Sequence, residues 1–215
     1  MPLSYDLYWS FRSPYSYLLV PRLMALEAAH DVVCRVKPVY PLAVRTPEFF
    51  ETRDPLWVRY FMTDVFREAA YLGLPLRWPR PDPVQQHPEI GYRTPQPWIH
   101  RLTHLGVAAA ARGRGLPFLR EASHTIWSGE VEGWHEGDHL ARAAERAGLD
   151  YAELSAAVDG DPQGHAAVVE RNQAEERAAG HWGVPLMVFS GEPFFGQDRF
   201  DQLVWRLRAA GLQPR

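Results

Sequence analysis

Ser13 is followed by Pro14, Tyr15 and Ser16 at the point where an alternating apolar run gives way to a helical one, in the stretch LSYDLYWSFRSPYSYLLVPRLMAL. A hydroxyl that opens a helix can accept a hydrogen bond from one of the unpaired N–H groups of the first turn. It can also donate its proton to an anion held at the helix N-terminus, where free N–H groups and a partial positive charge point outward. Phosphates, carboxylates and thiolates are the anions such a site stabilises. No sulfur occurs among Ser13-Pro14-Tyr15-Ser16, and the chain has a single cysteine, Cys34. Disulfide exchange needs a sulfur nucleophile, and one thiol makes neither an internal disulfide nor a CxxC pair. Two readings of Ser13 follow: a helix cap and nothing more, or a hydroxyl that serves a thiolate brought by another molecule.

A second group of candidates lies near the C-terminus, in WGVPLMVFSGEPFFGQDRFDQL. Val184-Pro185 stands where a strand begins, a position proline tolerates. A cis peptide there would expose the N–H and C=O of Val184 to an extended peptide. Gly196-Gln197-Asp198-Arg199 opens the last helix, where Asp198 can act as a cap or receive a ligand's ammonium group. Three other signals carry less. HEGDH, His135 to His139, matches H-E-x-x-H, but that zinc pattern works only with both histidines on one helix. Gly133 and Gly137 flank it and Asp138 reads as the cap of the following helix, so a loop without metal is expected. His100 and His104 share a helix face with no third ligand nearby, and Cys34 falls in a predicted core strand.

The elements that must position these residues can be read from periodicity. Leu3–Trp9 alternates and predicts a strand, with Leu3, Tyr5, Leu7 and Trp9 on one face. Pro14 suits a first helical turn, and the apolar pattern carries that helix to Ala29, with Pro21 inside it. Val32–Val39 predicts a second strand. From Pro41 to Gly180 the chain is helical in pattern: a helix after Asp54 ending at Gly73, then helices at Ile99–Arg112, Pro117–Trp127, His139–Ala147, Tyr151–Ala157 and Pro162–Ala179. The proline-rich stretch from Leu76 to Trp98 predicts an irregular loop packed by its aromatics. Strand signal returns at Pro185–Phe189 and Pro193–Phe195, and Asp198–Ala210 closes the chain as a helix with Gly211 after it. The order β-α-β, helices, β-β-α predicts an α/β protein with a thioredoxin-like sheet and a large all-helical insertion. Residues 1–40 and 181–215 form the discontinuous thioredoxin-like unit, and 41–180 the insertion.

Composition restricts the function classes. A length of 215 residues with 46 % hydrophobic and 23 % charged residues describes one globular domain with a real core. A net charge of −3 with dispersed arginines predicts no nucleic-acid partner. The first ten residues lack the pattern of a signal peptide, and no apolar run is long enough for a membrane helix. A cytoplasmic protein is expected.

At both ends the chain resembles the DsbA-like branch of the thioredoxin superfamily that comprises 2-hydroxychromene-2-carboxylate isomerases and kappa-class glutathione transferases. The motifs that carry the resemblance are SFRSPYSYL, WGVPLMVF and GEPFFGQDRFDQL, of which the last is the most specific; AYLGLPL and AERAGLD are weaker echoes. The resemblance implies glutathione, or another low-molecular-weight thiol, lying across the site as an extended peptide. Ser13 would hold its sulfur as thiolate, Val184 with Pro185 would pair with the cysteinyl backbone, and Gln197 and Asp198 would bind the γ-glutamyl end. The implied activity is a glutathione-dependent isomerase of the 2-hydroxychromene-2-carboxylate type. The alternatives are a kappa-like glutathione transferase and a redox-inactive thiol- or peptide-binding protein. The implied partners are a small aromatic or electrophilic substrate and a second copy of the chain. Trp57, Trp78, Trp98 and Trp134 are candidates for the wall of the substrate pocket, although most read as ordinary core. The chain departs from the family pattern in four places. PLAVRTPEFFETRDP stands where a Gly-, Asn- and Pro-rich stretch is usual, and QPWIHRLTH replaces an Asn-Ser/Thr helix opening. Trp9-Ser10 replaces an aromatic-Asp pair, and Arg12 occupies an apolar position. Arg12 is thereby a candidate to bind an anionic substrate or the glycyl carboxylate of glutathione, against the plainer reading of a solvated arginine.

Overall fold

The computed structural model describes residues 2–215. The elements run β1 (Leu3–Trp9), α1 (Pro14–Ala29), β2 (Val32–Pro38), α2 (Leu42–Arg45), α3 (Glu48–Glu51), α4 (Pro55–Tyr71), α5 (Ile99–Ala111), α6 (Gly115–Trp127), α7 (His139–Arg146), α8 (Tyr151–Gly160), α9 (Pro162–Ala178), β3 (Leu186–Phe189), β4 (Glu192–Phe195), a 3-10 turn (Gln197–Arg199) and α10 (Phe200–Ala209). The four strands form one sheet in the order β2-β1-β3-β4. β1 pairs parallel to β2, with Tyr5 beside Cys34, and antiparallel to β3, with Leu7 beside Met187. β3 and β4 form a hairpin with Met187 beside Phe194. This is the thioredoxin-like α/β architecture with helices between β2 and β3.

β1 is a central strand, so both of its faces need apolar residues. Tyr5, Leu7 and Trp9 are fully buried on one face, and Tyr8 is buried on the other against Val39 and Leu186. α1 packs between the sheet and α6, with Leu18, Leu19 and Leu23 fully buried. Pro21 sits on its exposed side and the helix continues past it. The main apolar cluster draws on both parts of the chain: Tyr5, Leu18 and Met187 from the sheet unit meet Leu105, Phe118, Trp127 and Leu154 from the helices. The division expected between 41–180 and the rest is one of chain order, and a single core spans it.

Two short helices, α2 and α3, occupy 42–51, within the stretch expected to be helical but ahead of the first helix placed there, after Asp54. α4 is capped by Asp54, whose carboxylate accepts from Leu56 N at 2.8 Å, and Gly73 follows its end at φ +66°. Only Val65 and Ala69 of α4 are buried, so this helix stands largely off the body. The proline-rich stretch after it is irregular and held by aromatics, as expected: Trp78 meets Trp127 edge-on at 5.2 Å, and Trp134 donates to Pro81 O at 2.7 Å. His135 lies in a loop and His139 begins α7, so the H-E-x-x-H spacing does not lie on one helix. No described helix is long and apolar enough to cross a membrane.

Candidate active site

The C-terminal end of β1 delivers the chain into a turn in which Ser13 N donates to Ser10 O at 3.1 Å. Trp127 clamps this turn from α6 by donating its indole N–H to Phe11 O at 2.8 Å. Ser13 caps α1 with extended backbone, and its Oγ accepts from Ser16 N at 3.2 Å. Its hydroxyl points at Val184 and donates to the Val184 carbonyl at 3.4 Å. The Val184–Pro185 peptide is cis. The helix N-terminus and the entry to β3 therefore face each other across a narrow gap.

Two cavities meet there. One, of 510 Å³, is lined by Ser10, Ser13, Pro14 and Val184 at its floor and by Phe49, Phe50, Trp57, Phe61, Trp182 and Phe195 around its walls. Trp57 and Phe61 are stacked at 5.5 Å, and Phe49 meets Trp182 edge-on at 5.2 Å. The other, of 460 Å³, is polar and is lined by Tyr60, Asp64, Glu68 and Gly196 to Arg199. Tyr15, Val184 and Phe195 line both cavities. Tyr15 donates its hydroxyl to Asp64 at 2.6 Å, and burial first, then that bond, raises its own pKa. The same bond, more than the neighbouring Arg67, holds the Asp64 carboxyl below its ordinary range.

The structure brings Ser13, Val184, Pro185, Gln197 and Asp198 to this double cavity, but it changes what three expected residues do. Arg12 is neither solvated nor a free cation. Its guanidinium grips Asp82 through two bonds of 3.2 and 3.0 Å and lies over Trp78 at 5.1 Å, anchoring the proline-rich loop. The Nε–Nη2 edge of the fork is matched to a carboxylate and its charge is balanced there, so Arg12 is a poorer receptor for an anionic ligand than an unpaired arginine. Gln197 is buried, and its side-chain amide donates to Glu68 at 2.7 Å while Arg22 bonds its side-chain oxygen. Its side chain thus ties α1, α4 and the 3-10 turn together. Asp198 does not cap α10. The chain first makes the 3-10 turn, begun by Gly196 at φ +99°, and the Asp198 carboxylate pairs with Arg199 at 2.9 Å. The positive φ is what favours glycine at 196, since an added Cβ would meet only the end of the exposed Asp198 side chain.

Of the four candidate tryptophans only Trp57 lines the aromatic cavity; Trp78, Trp98 and Trp134 pack elsewhere. Tyr15, Phe49, Phe50, Arg53, Phe61, Trp182 and Phe195 were not singled out by sequence. The Phe49-Phe50 pair between Pro47 and Asp54 was the available signal, since two adjacent aromatics in a short irregular stretch need a partner surface. Cys34 is buried beside Tyr5 and burial pushes its thiol pKa up, which leaves it inert as a nucleophile. His104 is buried on α5 and shares a 2.7 Å hydrogen bond with the Tyr40 hydroxyl. Among the described residues no group of three His, Cys, Asp or Glu side chains is placed to hold a metal.

The family model for the DSBA-like thioredoxin domain matches residues 5–208. The chain belongs to this family. Among solved structures, a 2-hydroxychromene-2-carboxylate isomerase superposes with a TM-score of 0.72 at 18 % identity, covering 97 % of this chain and 96 % of that one. The cytosolic disulfide reductase DsbM from Pseudomonas aeruginosa superposes with a TM-score of 0.62 at 19 % identity over 96 % of this chain and 100 % of its own. The same reductase solved with GSH gives 0.63 at 18 % identity and the same coverage. No curated protein matches the sequence. At such identities the likeness establishes the fold. The DSBA-like thioredoxin domain seen here differs from a dithiol enzyme in one chemical respect: its helix α1 opens on Ser13 and holds no cysteine.

Proposed function

We propose that this DSBA-like protein is a glutathione-dependent isomerase of the 2-hydroxychromene-2-carboxylate type. The observation that carries the reading is the Ser13 hydroxyl at the N-terminus of α1, facing the Val184 carbonyl between an aromatic cavity and a polar one. Glutathione fits that arrangement chemically. It has a sulfur for Ser13, a peptide backbone for the Val184 edge, and an ammonium for the carboxylates of Asp198, Asp64 and Glu68.

When bound, glutathione would supply a nucleophilic sulfur for reversible addition to the ring substrate. The chain's own part is electrostatic and positional. Ser13 donates a hydrogen bond to the sulfur while the positive N-terminal end of α1 favours its charge. Val184 orients the peptide, and Asp198 together with the backbone of Gln197 receives the γ-glutamyl end. Phe49, Phe50, Trp57, Phe61, Trp182 and Phe195 hold a flat apolar substrate and exclude water, which strengthens every charge interaction inside.

The proposal extends to a cytoplasmic homodimer acting on a small aromatic or electrophilic substrate, without nucleic-acid or membrane partners. Purified protein is to be offered 2-hydroxychromene-2-carboxylate with and without glutathione, and its ultraviolet spectrum followed. Thiol-dependent conversion to the ring-opened isomer supports the reading. Conjugation of glutathione to 1-chloro-2,4-dinitrobenzene without isomerisation moves the assignment to a kappa-like transferase. Neither reaction, with glutathione still bound, leaves a thiol-binding protein. Sedimentation equilibrium tests the dimer against the 24.6 kDa of one chain.

A further inference from the structure

The aromatic cavity carries a charge that the proposed reaction has not used. Two cations line it, Arg12 and Arg53, and among the described residues no carboxylate does. Arg12 is neutralised by Asp82. Arg53 has no carboxylate within ion-pair distance among the described residues. The nearby Glu48 and Glu51 are taken by Arg93 instead, at 3.8 Å for the first and in direct contact for the second. Arg53 is nevertheless held in place. Its Nε–H donates to Phe49 O at 2.9 Å, and its guanidinium lies 4.1 Å from the centroid of the Phe49 ring. The two terminal nitrogens are left without a protein acceptor at the mouth of a cavity lined by seven aromatic rings.

A guanidinium oriented at one end and unpaired at the other is a preorganised anion receptor. Its donors suit a planar two-oxygen anion, and the apolar wall lowers the local screening. We infer that Arg53 is a specificity-determining residue for the second substrate, selecting flat aromatic molecules that carry one carboxylate or similar anionic group over their neutral counterparts. The anion-binding role that the departure from the family pattern suggested for Arg12 falls to Arg53, because the Asp82 carboxylate is folded against the first and no carboxylate against the second. The inference rests on the aromatic cavity being the second-substrate site, and it deepens the reading above.

The test needs no turnover and no thiol. Naphthalene-2-carboxylate and naphthalene-2-carboxamide have the same rings and differ in charge, and neither reacts with glutathione. Trp57 and Trp182 line the cavity, so quenching of tryptophan fluorescence reports binding. The wild-type protein is expected to bind the carboxylate about ten-fold more tightly than the amide, a preference that falls with added salt. Arg53→Met keeps the stem over Phe49 and removes the charge. It should erase the preference while changing amide affinity by less than about two-fold, and Arg53→Lys should retain part of the preference. Equal binding of both ligands by the wild type, a preference that survives in Arg53→Met, or no binding of either ligand would each overturn the inference. Failure of the isomerase assay with this preference intact would instead count against the thiol chemistry alone.

Discussion

Replacing Ser13 by alanine should leave the protein folded and raise the pKa of a bound thiol. The hydroxyl makes two contacts: it accepts from Ser16 N at 3.2 Å and donates to Val184 O at 3.4 Å. The second is longer than a good O–H···O bond, so turning the proton toward a sulfur sacrifices little. Loss of the first removes a side-chain cap, worth about 1 kcal/mol, against a domain stability on the order of 5–15 kcal/mol. A hydrogen bond to a charged acceptor contributes about 1.5–3 kcal/mol, and one pKa unit corresponds to about 1.4 kcal/mol. The bound thiol should therefore titrate about 1–2 units higher in Ser13→Ala than in the wild type. It should still lie below the free value of about 8.5, because the N-terminus of α1 remains. The assay is the ultraviolet thiolate absorbance of saturating glutathione across pH, with urea melts to show that both proteins are folded. Ser13→Thr, which keeps the hydroxyl, should restore most of the shift. Identical titration curves for wild type and Ser13→Ala would refute the reasoning and reduce Ser13 to a helix cap.

Arg45 and Glu176 form a buried pair at 2.7 Å that ties α2 to α9, and Arg45 also donates to Trp182 O at 2.8 Å. Arg45→Met should destabilise by about 3–5 kcal/mol in urea unfolding, whereas Arg45→Met with Glu176→Leu should recover most of that loss. Burial raises the Glu176 pKa and Arg45 opposes it, so the single variant's deficit should grow as pH rises through that raised value. Burial, followed by the charges of His165, His100 and Arg101, lowers the His104 pKa. The unfolded chain then binds the proton more readily, so stability present above about pH 6.5 should fall as pH drops below it, and His104→Gln should flatten the slope. Asp198→Asn should raise KM for glutathione about ten-fold with little change in kcat, the pattern of lost uniform binding, and a selective fall in kcat would contradict that role.

Local signals in the chain were sufficient for most elements. The alternation of Leu3–Trp9, the Ser13-Pro14 helix opening, the Asp54 cap and the Val32–Val39 strand all depend on neighbours within a few residues, and each element is found, the last ending one residue early at Pro38. The helix opening at Ser13 and the strand entry at Val184-Pro185 were legible because both have short-range signatures, whereas the 3-10 turn that carries Asp198 was not. Partners were not legible. Ser13 meets Val184 across 171 residues, and Arg12 meets Asp82 across 70, since the sheet brings β3 beside β1 and the proline-rich loop folds back over the first turn. The same holds for the aromatic cavity, whose walls come from α3, α4, the Trp182 segment and β4. Residue type sets whether a guanidinium or a carboxylate can bind a ligand, but its charge is available only if no opposite charge is packed against it. That is why a departure from the family pattern singled out Arg12, and why only the tertiary arrangement, which pairs Arg12 with Asp82 and leaves Arg53 without a carboxylate, decided between them.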